Sequence, residues 1–170
     1  MKKKFTIQLL ALMVIMAFLS LPLTLKGQDS KANYSGKWVL NAEKSHMVYK
    51  GGGRLGGGNF TAKQEGNVLN VDQAYTDRAS GEEKRRLSKY ILDGKERLSE
   101  ETSGSKSAAS WSADGKSLTI KSTFEFVGKD GKVATRTEVW NLTSPNSLTI
   151  TLPGRDGGDA STTIAVYDKK

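Results

Sequence analysis

Two-residue alternation over Leu118–Phe126 constrains this chain more than any other feature. Leu118, Ile120, Ser122, Phe124 and Phe126 fall on one side, and Thr119, Lys121, Thr123 and Glu125 on the other. A helix would scatter these apolar positions around its axis, whereas a strand with one buried face keeps them together. Leu148, Ile150 and Leu152 repeat the pattern, with Thr149 and Thr151 outward. No amphipathic helix of three turns is found anywhere in the chain, so the sheet must supply the whole core.

Turn signals separate these strands. Trp111 to Ile120, with Asp114-Gly115 inside, is echoed by Trp140 to Ile150, with Pro145-Asn146 inside; each is an aromatic at a strand end, a turn, then Ser-Leu-Thr-Ile. Gln64 to Val71 is a fainter third copy around Gly66-Asn67. Asp93-Gly94 and Asp130-Gly131 are further tight turns, so Arg97 to Thr102 is expected to fold back on Glu82 to Leu92 as a hairpin. The chain reads as an antiparallel meander of about nine strands. In the strand Val133 to Leu142, one row holds Val133, Thr135, Thr137 and Val139 and the other Ala134, Arg136, Glu138 and Trp140; the pattern does not choose the inner one.

The meander opens on Tyr34-Ser35-Gly36-Lys37-Trp38-Val39-Leu40, where glycine allows a tight entry into the sheet and the indole can plug one end of it. Ser35-Gly36-Lys37-Trp38, with Leu40-Asn41-Ala42-Glu43-Lys44-Ser45 after it, resembles the SGxWxLNxxKS opening of small secreted bacterial lipocalin-like proteins. The Gly-x-Trp core is similar to the first-strand motif of lipocalins at large. The resemblance implies a β-barrel or half-barrel and a basic residue near the last strand that covers the tryptophan. The final strand, Thr162 to Asp168, holds no arginine, and Arg155 lies before it.

Residues 1–27 read as a secretory signal peptide: Lys2-Lys3-Lys4 leads an apolar run from Leu9 to Leu19, and Gly27 offers a small residue for cleavage. The run is shorter than the ~20 residues that span a bilayer. The expected mature domain is therefore 28–170, secreted or periplasmic, with no membrane insertion after the signal is removed. Losing Lys2, Lys3, Lys4 and Lys26 takes the net charge from +8 to +4, an ordinary value that gives no argument for nucleic acid. The chain has no cysteine, which excludes a lipoprotein anchor, a disulfide scaffold and thiolate chemistry.

Most candidate motifs fail on context. Gly51-Gly52-Gly53-Arg54-Leu55-Gly56 matches a dinucleotide fingerprint in letters, but a strand starts at Asn59-Phe60 where a helix N-terminus is required. In a lipocalin-like order this loop sits as a lid over the barrel mouth. His46 is the only histidine, so a multi-histidine metal site is excluded, and Asp156-Gly157-Gly158-Asp159 falls short of a calcium loop. Glu82-Glu83-Lys84-Arg85-Arg86 mixes charge signs and reads as a charged strand edge that discourages edge-to-edge pairing. No catalytic residue, cofactor or metal is nominated; an enzyme would have to rely on carboxylates, Lys, Tyr or Ser.

The remaining candidates are Trp38, Trp111, Phe124, Phe126, Arg136 and Trp140. If the barrel holds a cavity, these would line it around a small apolar or amphipathic ligand, with Arg136 anchoring an acidic head group. If they fill the core, the domain is a cell-envelope interaction or structural module with no small-molecule ligand. The residues leave the choice, and the oligomeric state, open.

Overall fold

The computed structural model describes residues 31–46, 58–77, 80–99, 105–125, 133–153 and 162–170. They form an all-β meander of ten antiparallel strands: β1 Gly36–Leu40, β2 Phe60–Glu65, β3 Val68–Thr76, β4 Glu83–Ile91, β5 Arg97–Leu98, β6 Ser105–Trp111, β7 Ser117–Glu125, β8 Val133–Ser144, β9 Ser147–Leu152 and β10 Thr163–Lys169. The sheet curls into a half-barrel in the order β4-β3-β2-β1-β10-β9-β8-β7-β6-β5. First and last strands therefore pair, with Trp38 opposite Lys169 and Leu40 opposite Tyr167. Every consecutive pair of strands is also bonded except β4 and β5, which become the two ends of the sheet.

The expected β4–β5 hairpin is thus not formed, although its turn is. Gly94 takes the left-handed conformation, φ 76°, that Asp-Gly signals lead one to expect. The Asp93 carboxylate, however, accepts both Arg97 Nη atoms at 2.7 Å and the Lys95 amide at 3.0 Å. Gly94 donates its own N–H to the Ala109 carbonyl at 2.8 Å. These bonds carry the chain away from β4 and onto β6, where Arg97 pairs with Ser107 and Leu98 with Lys106. The strand β6 starts at Ser105, and Ser105 and Ser107 face inward where small polar residues fit.

Inward rows form one core. Leu118 and Ile120 on β7, Leu148 and Ile150 on β9, Leu69 on β3 and Ala165 and Tyr167 on β10 are all buried. On β8 the inner row is the one with Ala134, Arg136, Glu138 and Trp140, since Val133 and Thr135 are exposed. The trailing ends of β2, β6 and β8 are joined to β3, β7 and β9 by short turns at one end of the barrel. That end is plugged with aromatics. Tyr34 stacks on Trp111 at 5.8 Å and meets Trp140 edge-on at 5.7 Å; Phe60 contacts Trp140 at 5.4 Å and Tyr167 at 5.0 Å. Each such pair contributes about 0.5–1.5 kcal/mol beyond the area it buries.

The segment before β1 is part of the plug. Gln64 accepts the Tyr34 amide on Oε1 at 3.0 Å and donates from Nε2 to the Ala32 carbonyl at 3.1 Å. The Tyr34 hydroxyl donates to the Trp140 carbonyl at 2.8 Å. Trp38 is fully buried and donates its indole N–H to the Tyr34 carbonyl at 2.9 Å. A basic side chain does lie against its ring: Lys169, one residue beyond the final strand expected from the sequence, holds its ammonium 5.4 Å from the ring centre.

Candidate functional site

The barrel interior changes character along its axis. Near the short turns it is aromatic and aliphatic; towards the opposite end, where β1, β3, β5, β7 and β9 finish, the inner rows carry Ser88, Ser105, Ser122, Arg136, Glu138 and Thr163. All of these except Arg136 are buried. Serines on β4, β6 and β7 put small polar side chains at these inner positions.

The charged centre lies on β8. Arg136 and Glu138 are two residues apart and so share a face, and Arg136 Nε approaches Glu138 Oε1 to 3.1 Å. The other carboxylate oxygen accepts the Trp140 indole N–H at 3.1 Å. Glu138 is 7 % and Arg136 21 % exposed at the side chain. Across the ladder Arg136 lies opposite Ser122 and Glu138 opposite Ile120. Facing them from β10 is Tyr167, fully buried, whose hydroxyl has no hydrogen-bond partner among the described residues. Burial and then the Glu138 charge push its ionisation far above the ordinary phenol range, with Arg136 opposing.

Beside this centre is a cavity of about 20 Å³ lined by Phe60, Ser88, Tyr90, Glu138, Trp140 and Tyr167 among others. It has room for about one water molecule. A larger cleft of about 250 Å³ lies between β4 and the segment that leads through β5; inner-row Tyr90, Ser107 and Ala109 line it together with Lys95 and Leu98.

Comparison with protein-family models and with curated proteins finds no match for this chain.

Of the residues singled out from the sequence, Arg136 and Trp140 come together through Glu138. Phe124 lies on the inner row of β7, half-buried and opposite Ala134. Trp111 is half-buried at the plugged end, stacked on Tyr34, with the Lys31 ammonium 5.7 Å from its ring centre. Trp38 belongs to the plug. Phe126, residues 51–57 of the glycine loop and the segment Asp156 to Asp159 lie outside the described residues. His46 is exposed and bridges to Ile164.

Glu138 and Tyr167 were missed. The signal for Glu138 was present: Trp140 is the residue of its strand with most to gain from burial, and choosing the row by Trp140 places Glu138 inside. Tyr167 carried no local signal, since its partners are on β1, β2, β8 and β9.

Proposed function

We propose that this domain is an exported binding module for a small amphipathic molecule with an acidic head group, received between the polar ends of the inner rows and anchored by Arg136. The observation that carries this is the pairing of the half-buried Arg136 with the buried Glu138, with the orphaned Tyr167 hydroxyl beside it. Taking two charges out of water costs several kcal/mol per ion before pairing offsets it, so apolar residues would serve a purely structural barrel as well or better. Buried, perturbed polar groups gather where a ligand is recognised. Arg136 suits the task because a guanidinium carries five donors in a planar fork and remains charged when desolvated. The half-buried Phe124 and Leu152 on neighbouring inner rows supply apolar wall above it.

One observation favours a second reading. The inner cavity of about 20 Å³ admits no organic ligand, so a barrel that does not open further would act through its surface.

Native mass spectrometry of the mature domain from its own host's envelope, followed by denaturation, separates the two. A released small molecule in stoichiometric amount, lost from Arg136→Gln, supports the binding module. A bare mass in both proteins supports the surface module.

A further inference from the structure

We infer that Arg86 is a second anchor for the head group, and that the group it receives is a carboxylate or another singly charged anion. This rests on the binding-module reading above and adds to it the residue that supplies the net charge. Arg136 cannot supply it alone. Glu138 lies 3.1 Å from its Nε, so the pair brings no net charge to the interior, and an entering anion would meet a carboxylate beside the guanidinium.

The strand register sets another guanidinium at the same level. On β4 the row that holds the buried Ser88 and Tyr90 also holds Arg86, which is half-buried while Arg85 and Leu87 on either side are exposed. Arg86 pairs across the ladder with Gln73, and Gln73, Ser88 and Glu138 all line the cavity of about 20 Å³. Both β4 and β8 run towards the plugged end. Arg86 therefore stands one inner step above Ser88, and Arg136 one inner step above Glu138, on two walls of the same cavity.

The surroundings of Arg86 leave its charge unspent. Its guanidinium carbon lies 4.9 Å from the centre of the Tyr75 ring, and an aromatic face steadies a guanidinium without neutralising it, with the N–H donors at the edge. Among the described residues no carboxylate pairs with Arg86, whereas Arg85 bonds to Asp72 and Lys84 to Asp77, the latter at 2.7 Å. At this end of the inner rows Arg86 is thus the uncompensated cation, and it matches a single negative charge. A dianion such as a phosphate monoester would leave a negative charge unbalanced beside Glu138, which is costly where water is largely excluded.

The probes are decanoate, decyl phosphate and decanol, each titrated by isothermal calorimetry, below its micellar range, into the intact mature protein at about pH 8, where a phosphate monoester carries about two negative charges. Decanoate should bind tightest, and Arg86→Gln should weaken it about tenfold or more while leaving decanol unchanged. Arg86→Lys, which keeps the charge, should recover part of the loss; Lys84→Gln, whose charge Asp77 already meets, should change nothing. Circular dichroism checks the fold of each variant. Decyl phosphate binding as tightly as decanoate, or decanoate affinity unmoved by Arg86→Gln yet lost in Arg136→Gln, would overturn the role of Arg86 and leave the binding module standing. No binding of any probe to the parent protein would overturn both.

Discussion

Gly36 shows how much one residue can decide. Its φ of +151° is a backbone conformation that side-chain-bearing residues rarely take, and a Cβ there would lie 2.4 Å from Lys169 Cε. The lysine can swing aside but the backbone cannot, so Gly36→Ala should cost about 1–3 kcal/mol, read as a lowered denaturation midpoint. The variant should also redden the Trp38 fluorescence as Lys169 leaves the ring. Tyr34 makes a second test. Burial pushes its phenol up from 10.0 to about 12. The folded state therefore holds this proton more tightly than the unfolded chain. Its contribution is complete below pH 10 and is lost as pH rises towards about 12. Tyr34→Phe should flatten stability over that alkaline window and lower it at neutral pH by about 1 kcal/mol, since the Trp140 carbonyl loses its donor.

At the scale of one element, β8 carries the chemistry. Glu138→Ala strands the Arg136 charge, and the expected loss is about 3 kcal/mol, the low end for a broken buried pair, because Arg136 keeps 21 % of its side chain exposed. Arg136→Met/Glu138→Leu removes both charges and should fall within about 1 kcal/mol of the parent or above it. Urea titration gives both values. Under the proposed function the double variant is the informative one: a folded, stable barrel that no longer releases a small molecule on denaturation. Periodicity exposed β8 as a strand but not which way it faced. Its rows differ by residues of either kind, with threonines and valines against Ala134, Arg136, Glu138 and Trp140. The buried Glu138 charge is tolerated because the Trp140 indole N–H donates to it and the Arg136 guanidinium lies beside it, and such partners are invisible in a hydropathy pattern.

Among the described residues the ten strands follow one another around a single curled sheet that is broken in an unusual place. The first and last strands are joined by the β1–β10 ladder and by the bond from the Lys170 amide to the Lys37 carbonyl at 2.9 Å, whereas the gap falls inside the short connection between β4 and β5. A circular permutant of residues 31–170, linked from Lys170 to Lys31 and opened between Lys95 and Glu96, should therefore fold cooperatively with nearly parental stability. Opening instead at Pro145-Asn146 cuts the bonded β8–β9 hairpin and should lower the melting midpoint clearly. Circular dichroism melts of the two permutants check this.

Alternation and turn residues alone determined that this chain is an antiparallel meander, where most strands begin, and that Leu118, Ile120, Leu148 and Ile150 face inward, because those properties follow from neighbours within a few residues. Tertiary structure decided the rest. Lys169 covers Trp38 only because β10 returns beside β1. Arg97 answers Asp93 instead of pairing with β4 because two charge-assisted bonds and the Gly94–Ala109 contact outweigh the preference of a local Asp-Gly turn. Glu138, Arg136 and Tyr167 meet because strands far apart in the chain share one interior, where the loss of water makes each partner count.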